Sequence, residues 1–546
     1  MNITFFGGTG EIGGNKILVE HKGSRIFLDF GTSLGYEANF FSEFLKPRTN
    51  TALKDRIEIG ALPRLSGIYR QDLIRPNGTG NLNNSIYSRV LEKDSPYFFL
   101  DGTEAYEGYM AKNKKPYLDA VFLTHAHFDH TGAIDFLHNC IDLYCSKETM
   151  LLVKAIDDVT VFKSNAIDSK TNEITFSTER SKCPDSPKIC HDNISRNCIY
   201  MEDKETKKMG NLFVTHFLQD HSVPGASSYV VEAGGKKLLY TGDIRFHGTY
   251  QMTIEEYAAK VGNGINIMIC EGTRIDSDNV LTEDEIRKKM AEKIKKTEGL
   301  VFVDFSWKDT TRYETIKQAS EEAGRTFIIN ARLAYLLKQL GKYPSDDDNV
   351  KVFLKRKGSC LYSPDDYNKS KHEYGLSVDW SSSVDNIHYE NALIASDIKE
   401  HPEKYVMMLS YFDLGQMFDL ADEDGKIPNS WFIKAQCAPF SDEMELDEER
   451  FINWLDTFGI GFDPGETPLP EGCKNKDCSK IRKRIDRAHV SGHASRPELK
   501  ELIERIKPEI LIPVHTEHQE EFIKLAKEIG TGIKVIIPEY GKPLSF

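Results

Sequence analysis

Three histidines and an aspartate crowd into the stretch LTHAHFDHTG, residues 123–132. His125, His127, Asp129 and His130 offer imidazole nitrogen and carboxylate oxygen, the ligand types that zinc and its first-row neighbours take in proteins. The alternative is a polar loop that holds histidines by chance. With 16 histidines in 546 residues, three at fixed positions would arise in roughly 0.014 windows per chain. The spacing therefore predicts a metal site.

Further candidate ligands lie at the ends of other predicted strands. Asp29 ends SRIFLD, His221 follows NLFVTHFLQD, Asp243 follows KLLYTG and His515 follows ILIPV. Functional side chains gather on the loops that a rigid sheet positions. Taken singly, each residue is more readily interpreted as a structural polar group. Together they supply the ligands that one cluster of four residues lacks for two complete metal shells.

The elements that must position these residues follow an α/β pattern. Residues 1–31 form a strand, a glycine-rich turn and two strands, and LDAVFL (118–123) is a short buried strand. SSYVVEAGGKKLLYTGD predicts a hairpin that turns at Gly234-Gly235. After Gly272, amphipathic helices alternate with buried strands to about residue 470, which predicts a parallel sheet. Ser495 is expected to cap a helix, with Glu498 three residues later.

Two polar, irregular segments, 35–115 and 158–210, interrupt this pattern and are interpreted as insertions that form a lid, an interface or a substrate guide. The ten cysteines are too few for a disulfide scaffold. Their two clusters leave a structural zinc open, but the spacings match no common zinc motif, so free thiols are preferred. The clusters comprise Cys183, Cys190 and Cys198 with His191, and Cys473 with Cys478.

Composition limits the choice of function. Hydrophobic residues make up 40% of the chain and charged residues 28%, as in a folded globular protein. The net charge of −14 argues against a surface that attracts nucleic acid everywhere, so a polyanion would need a local patch or a metal centre. No apolar run reaches the length of a membrane span, and the N-terminus has no signal-peptide pattern. A cytoplasmic protein is expected; the oligomeric state stays open, with a homodimer among the alternatives.

Several motifs together resemble the metallo-β-lactamase superfamily and, within it, the beta-CASP nucleases of the RNase J group. They occur in family order: FGGTGEIGGN (6–15), LDFG (28–31), THAHFDH (124–130), His221, TGD (241–243), CEGT (270–273), HVSGHAS (489–495) and IPVH (512–515). The resemblance implies an αββα metallo-β-lactamase sandwich with an inserted beta-CASP α/β domain. The sandwich would comprise residues 1–280 and 481–546, and the inserted domain residues 281–480.

The resemblance also implies a role for each site residue. His125, His127 and His221 would hold one divalent metal, Asp129, His130 and His515 a second, and Asp243 would bridge them. Zinc is the expected metal, with manganese as the alternative. The catalytic set would be His493, Glu271, Asp29 and Asp129. In this set His493 gives a proton to the leaving oxygen, Glu271 holds His493, and Asp29 orients ligands and supports a bridging hydroxide.

A phosphate-binding region is implied around the same motif. His489, Ser491 and the backbone at Gly492 could contact a substrate phosphate, and Ser306 lies in the loop DFSWKDTTR that corresponds to the same pocket. Trp307 could stack on a base, but a core position is the preferred interpretation. A basic run precedes His489, and a groove along the nucleic-acid backbone and a solvated face are equal alternatives for it. The run comprises Lys474, Lys476, Lys480, Arg482, Lys483, Arg484 and Arg487.

These implications predict a metal-dependent ribonuclease that acts on single-stranded RNA as a 5′–3′ exonuclease, an endonuclease or both. A histidine at the position of His515 goes with the RNA-processing members of the family. CEGT departs from the Asp-Ser-Thr pattern of many bacterial members, which leaves the polarity of cutting open. The alternatives are a DNA nuclease of the same family, a two-metal hydrolase of a small ester or thioester, and an inactive scaffold protein; a scaffold would have lost ligands that this chain keeps.

Overall fold

The computed structural model describes the chain except residues 43, 49–50, 75–99, 101, 160–165, 168–173, 183–188, 251, 344–348, 357–391, 440–441, 466–483 and 531. Its strands are β1 (Asn2–Phe5), β2 (Ile17–His21), β3 (Ser24–Leu28), β4 (Ala120–Phe122), β5 (Asp142–Cys145), β6 (Ala166–Ile167), β7 (Ile174–Lys182), β8 (Ile189–Arg196), β9 (Cys198–Tyr200), β10 (Thr206–Met209), β11 (Leu212–Leu218), β12 (Ser227–Ala233), β13 (Lys236–Tyr240), β14 (Ile267–Glu271), β15 (Val301–Asp304), β16 (Thr326–Ile329), β17 (Val350–Phe353), β18 (Ala392–Leu393), β19 (Tyr405–Met408), β20 (Trp431–Lys434), β21 (Gly461–Phe462), β22 (Ile510–Val514), β23 (Lys534–Val535) and β24 (Pro543–Ser545).

The helices are α1 (Leu34–Glu37), α2 (Ala52–Glu58), α3 (Gln71–Ile74), α4 (Tyr106–Asn113), α5 (Phe128–Thr131), α6 (Lys147–Val159), α7 (Ile254–Val261), α8 (Glu283–Lys296), α9 (Thr310–Glu322), α10 (Ala331–Gln339), α11 (Ala395–Glu400), α12 (Met417–Leu420), α13 (Asp442–Phe458), α14 (Arg496–Ile506) and α15 (Gln519–Ile529). Short 3-10 turns occupy Ile134–Phe136, Pro402–Lys404 and Tyr411–Gln416. No described helix is both long and apolar enough to cross a membrane.

Two seven-stranded sheets face each other across a shared core. The first has the order β24-β1-β2-β3-β4-β5-β9 and the second β10-β11-β12-β13-β14-β22-β23. Leu28 and Phe122 of the first sheet pack with Tyr229, Tyr240 and Val514 of the second, and all five side chains are fully buried. Helices α7, α14 and α15 cover the outer face of the second sheet. The arrangement is the predicted αββα sandwich.

The described parts of the segment 35–115 correct one expectation. Leu53, Ile57 and Tyr106 lie on α2 and α4 and pack, with Ile68 and Leu100, against the outer face of the first sheet. Much of this segment is therefore an outer layer of the sandwich and not a separate lid. In the segment 158–210, strands β9 and β10 extend the edges of the two large sheets, and β6, β7 and β8 form a small sheet of their own.

The alternating strands and helices between residues 301 and 462 form the predicted parallel sheet, in the order β18-β17-β16-β19-β15-β20-β21. Helices α8, α9 and α10 cover one face and α11, α12 and α13 cover the other. Leu152 and Val153 of α6 join the core on the first of these faces, so the sandwich and the third sheet share packed side chains.

Local sequence explains the helix that leads into the third sheet. Thr282 caps α8 by accepting from the Glu285 amide at 3.3 Å, and the Glu285 carboxylate accepts from the Thr282 amide at 2.8 Å. Ile286, Met290 and Ile294 recur every four residues and are buried. The predicted turn of the hairpin is also confirmed, since Gly234 and Gly235 both adopt positive φ between β12 and β13.

Candidate metal centre

Every predicted ligand lies beyond the carboxyl end of a strand. His125 and His127 follow β4, His221 follows β11, Asp243 follows β13 and His515 follows β22. These strands run in the same direction within their sheets, so their following loops meet at one edge of the sandwich. His127 also precedes the short helix α5, whose single turn carries Asp129 and His130.

The first group of donors comprises His125, His127, His221 and Asp243, whose ligand atoms all lie within 4.8 Å of one another. Nδ1 of His127 is 2.9 Å from Nε2 of His125 and 3.1 Å from Nε2 of His221. Oδ2 of Asp243 lies 3.5 Å from Nε2 of His125 and 3.8 Å from Nε2 of His221. Three imidazoles and one carboxylate oxygen therefore converge on one point.

The second group comprises Asp129, His130, His515 and again Asp243. Oδ2 of Asp129 is 3.1 Å from Nε2 of His515 and 3.7 Å from Nε2 of His130. Oδ2 of Asp243 is 3.3 Å from Nε2 of His130 and 3.6 Å from Nε2 of His515. Asp243 thus belongs to both groups, which is the arrangement of a bridging carboxylate.

Burial sets the charge of the first group. It lowers the pKa of His125 and His221 well below the ordinary histidine value, and it lowers the pKa of His127 to about 4. These three imidazoles are therefore neutral near pH 7, and the neutral ring is the form that binds a metal.

In the second group the protonated, positively charged form of the two histidines is favoured. Burial opposes protonation of both histidines, but nearby carboxylates outweigh it. Asp243, Asp29 and Asp129 raise the pKa of His130, and Asp243 and Asp129 raise the pKa of His515 to about 9. Two buried atoms between the groups, Nε2 of His130 and Oδ1 of Asp243, have no hydrogen-bond partner. Buried donors and acceptors are ordinarily paired, so these orphaned atoms and the donor set fit divalent cations.

The outward nitrogens of the histidines are held in place by neighbouring groups. Nδ1 of His221 donates to the Gly492 carbonyl at 2.5 Å, and Nδ1 of His515 is hydrogen bonded to Oγ1 of Thr273 at 2.7 Å. Nδ1 of His125 lies 3.0 Å from Oγ1 of Thr124. Such outer partners fix the ring orientation and tautomer of metal-binding histidines.

Asp29 is one of these outer partners. Its carboxylate accepts from Nδ1 of His130 at 2.8 Å, from the Thr124 amide at 2.7 Å and from the Tyr240 hydroxyl at 2.8 Å. The side chain is fully buried behind His130. In this geometry Asp29 orients His130, one of the candidate ligands. Asp29 and His515 both adopt positive φ, at 57° and 53°.

His493 and Glu271 lie together beside the two groups. Nδ1 of His493 donates to Oε1 of Glu271 at 3.2 Å and is 3.9 Å from Oδ2 of Asp243. The Glu271 carboxylate also accepts from the amides of Thr273 and Ile244. Its side chain is 1% exposed and that of His493 is 20% exposed. Glu271 thus holds an imidazole whose Nε2 has no partner among the described residues.

Each of the four predicted phosphate-binding residues makes a local hydrogen bond. The Ser491 hydroxyl accepts from the His493 amide, and the Gly492 carbonyl accepts from His221. Nδ1 of His489 donates to the Ala435 carbonyl at 3.4 Å, and burial, together with the nearby Arg312, lowers the pKa of His489 to about 3. The hydroxyl of exposed Ser306 accepts from the Lys308 amide in its own loop.

Two buried arginines that the sequence did not indicate hold the HVSGH segment. Arg312 of α9 donates to the carbonyls of Ala488 and Val490, at 3.4 and 3.3 Å. Arg245 donates to the Ser491 carbonyl at 3.2 Å. Arg245 lies two residues after Asp243, so the local sequence could have indicated that it lies near the site. Arg312 is more than 170 residues from its partners in the sequence, so nothing local indicated its role.

Two structural elements anchor the same segment at its ends. The Ala488 amide donates to the carbonyl of Lys434, the last residue of β20, at 2.8 Å. The Ala494 amide donates to the Ile244 carbonyl, next to Asp243, at 2.6 Å. The segment that carries His493 therefore runs from the third sheet to the loop that follows β13 and carries Asp243.

The described part of the basic run is paired with acidic side chains. Arg484 forms an ion pair with Glu445, and Arg487 donates to both oxygens of Glu448 at 2.7 and 2.8 Å. This favours a structural role for these two residues. Trp307 is partly buried and packs against a core cluster, as preferred from the sequence. The remaining basic residues of the run, and the side chains of Cys183, Cys190, His191, Cys473 and Cys478, lie outside the described residues.

Two family models match the chain. One describes a β-lactamase superfamily domain and matches residues 105–292. The other describes a Zn-dependent metallo-hydrolase RNA specificity domain and matches residues 480–538. The first contains six of the seven candidate ligands together with Glu271, and the second contains His493 and His515.

The chain is also similar to proteins named ribonuclease J and, in its fold, to a solved structure. Ribonuclease J 2 of Staphylococcus epidermidis is 21% identical over 507 residues, which are 87% of this chain and 74% of the relative. Ribonuclease J of Mycolicibacterium smegmatis is 22% identical over 245 residues, 43% of this chain and 38% of the relative. A crystal structure of a protein of unknown function from Enterococcus faecalis V583 superposes with a TM-score of 0.64 at 19% identity, covering 100% of this chain and 99% of the other.

Proposed function

We propose that this chain, which belongs to the RNase J-like group of the metallo-β-lactamase superfamily, is a metal-dependent ribonuclease that hydrolyses phosphodiester bonds in single-stranded RNA. The observation that carries the proposal is the pair of donor groups that share Asp243, with His493 3.9 Å from the shared carboxylate. The RNA specificity model over residues 480–538 and the relatives named ribonuclease J support RNA as the substrate.

Two divalent cations would supply an activated water and offset charge on the phosphoryl oxygens. Zinc is the expected ion, and manganese is the alternative. One group of donors would hold each ion, and Asp243 would contribute to both. The first group adds His125, His127 and His221, and the second adds Asp129, His130 and His515.

The remaining chemistry belongs to His493. A water oxygen adds to phosphorus and the bond to the 3′ oxygen breaks, which leaves a 5′-phosphate on one product and a 3′-hydroxyl on the other. The departing 3′ oxygen needs a proton. Glu271 accepts from Nδ1 of His493, so Nε2 is the nitrogen that donates this proton as a general acid. Asp29 acts at a distance by holding His130.

The test is hydrolysis of end-labelled single-stranded RNA and DNA, each with a 5′-monophosphate, triphosphate or hydroxyl, by protein supplied with zinc or manganese. Cleavage of RNA to products with 5′-phosphates is expected. Released mononucleotides would identify exonucleolytic cutting, and internal fragments endonucleolytic cutting.

Asp243→Asn should abolish the activity, and His401→Ala, at an exposed histidine of the third-sheet region, should leave it intact. Equal cleavage of DNA would overturn the preference for RNA. Hydrolysis of a small ester or thioester without cleavage of either nucleic acid would overturn the nuclease proposal itself.

A further inference from the structure

The loop that follows β13 carries a second buried histidine contact besides Asp243. His247 lies four residues further along this loop, and its side chain is 3% exposed. Nδ1 of His247 is 2.8 and 3.0 Å from the two carboxylate oxygens of Glu498, and Nε2 is 3.0 Å from the Ser491 carbonyl oxygen. An ionised carboxylate and a carbonyl can only accept hydrogen bonds, so both ring nitrogens of His247 donate.

Glu498 fixes the orientation of this imidazole. Its carboxylate also accepts from the Ser495 amide at 2.8 Å and from the Ser495 hydroxyl at 2.9 Å, which is the Glu498 half of the capping box at the start of α14. Burial alone would raise the pKa of Glu498, but His247 and Ser495 lower it below the ordinary value. The carboxylate is therefore ionised near pH 7, and the end of a helix holds the His247 ring.

The Ser491 carbonyl receives two donors from the loop after β13. Nε2 of His247 donates to it at 3.0 Å, and Arg245 donates to it at 3.2 Å. A carbonyl oxygen has two lone pairs, so the two donors leave this peptide group little freedom to rotate. The Ser491 hydroxyl in turn accepts from the His493 amide at 3.1 Å. A continuous chain of contacts therefore runs from His247 to the backbone of His493.

Stability alone does not explain a charged pair at this place. The side chains of His247 and Glu498 are 3% and 11% exposed, and the cost of removing two charges from water largely offsets their attraction. A well-packed apolar pair of similar volume is often equally stable. The charged pair adds a fixed direction for Nε2 of His247, which an apolar pair cannot provide.

We propose that His247 is a positioning residue for the general acid: it orients the Ser491 carbonyl and thereby holds the turn that presents the ring of His493 to the shared donor groups. The inference rests on the proposed function and adds to it a buried residue that acts through another. A displacement of about 1 Å in a catalytic group can slow a reaction about 100-fold. We therefore expect His247→Ala to slow RNA cleavage about 10- to 100-fold.

The first test compares two substrates with zinc-loaded protein. His247→Ala should lower kcat on single-stranded RNA and leave KM unchanged. Hydrolysis of a p-nitrophenyl phosphodiester, whose leaving group needs no proton, should change much less. In a His493→Ala background the same substitution should cause no further loss on RNA, because the group that it positions is already absent. Equal losses on both substrates, or a full additional loss in the double variant, would overturn the inference.

Two variants of similar shape separate the two contacts of the ring. The amide nitrogen of glutamine can take the place of Nε2, and that of asparagine can take the place of Nδ1. His247→Gln should keep the donor to Ser491 and most of the activity on RNA, whereas His247→Asn should be as slow as His247→Ala. The reverse order would overturn the inference, because the contact with Glu498 would then carry the effect.

His216→Ala is the control for the loss of a buried histidine. His216 is fully buried in β11, and its ring nitrogens are hydrogen bonded to the Glu202 carbonyl and the Ser227 hydroxyl. This variant should keep its kcat even if urea unfolding shows that it is as destabilised as His247→Ala. Equal losses of kcat in the two variants would show a merely structural role and overturn the inference.

Zinc content, measured by atomic emission, should be the same in His247→Ala and the wild type. Loss of zinc in His247→Ala would show that the residue acts through the ligand Asp243, and it would overturn the inference. Wild-type protein that cleaves no RNA would overturn the proposed function and this inference together. Full activity on RNA in His247→Ala would overturn the inference alone.

Discussion

Gly492 offers a way to disturb one donor group and leave the other intact. A Cβ at this position would lie 2.8 Å from Cε1 of His221 and 3.0 Å from Oγ of Ser222. The His221 ring cannot move away freely, because its Nδ1 donates to the Gly492 carbonyl and its Nε2 faces His127. Gly492→Ala should therefore force His221 out of line with the other donors of its group.

The expected size follows from the cost of overpacking. Inserting a methyl group into a filled site costs about 1–3 kcal/mol, which corresponds to roughly 5- to 150-fold in a binding constant. Loss of an outer hydrogen-bond partner alone weakens metal affinity about 10- to 100-fold. We expect one of two metals to bind about 10- to 100-fold more weakly, with the group of Asp129, His130 and His515 unaffected.

The assay is a zinc titration in competition with a chromophoric chelator, followed to two equivalents. Gly415→Ala is the matched control, because a Cβ there meets no atom within 4 Å and the backbone needs no positive φ. Unchanged affinity for both ions in Gly492→Ala would refute the reasoning. Equal weakening of both ions would refute the assignment of Gly492 to the His221 group.

Three further predictions concern catalysis, folding and pH. His493→Ala should lower kcat on RNA by about 10²- to 10⁴-fold but affect a p-nitrophenyl phosphodiester much less, because that leaving group needs no proton; equal losses would contradict a general acid. Thr282→Ala should lower the free energy of unfolding in urea by about 1 kcal/mol through loss of the α8 cap, without changing activity. Burial and Arg312 lower the pKa of His489 in the folded protein to about 3, whereas the unfolded value is about 6.5. Between these two pH values the unfolded state binds the extra proton, so the free energy of unfolding falls as the pH falls. His489→Asn should make that fall shallower by up to about 1.4 kcal/mol per pH unit, as measured by urea unfolding with chelator present; parallel curves would contradict it.

The parts of the site that are local in sequence were the easiest to predict. THAHFDH is continuous, and the strand before it is short and apolar, so its donors could be recognised together. His221, Asp243 and His515 were recognised because each follows a strand, but their convergence on one point depends on two sheets facing each other. That packing is not encoded in any single segment.

Contacts between distant segments could not be predicted. Arg312 and Val490 are 178 residues apart, and nothing near Arg312 indicates that its guanidinium holds a catalytic loop. The segment 35–115 was interpreted as an insertion because it is long, polar and irregular, with several glycine, proline and asparagine residues. Leu53 and Ile57 are nevertheless buried against the first sheet. Short helices can pack on a sheet face even when their own sequence shows little hydrophobic periodicity.

The anchoring of the HVSGH segment has a mechanical consequence. One end is hydrogen bonded to the last residue of β20 and the other to the loop after β13. Ala488 and Ala494 are only six residues apart, which allows a span of at most about 20 Å. A movement of the third sheet that exceeded this span would have to break one of the two hydrogen bonds, and the bond from Ala494 to Ile244 is the one that holds His493 beside Asp243. The segment therefore limits how far the third sheet can move from the donor groups while His493 stays in place.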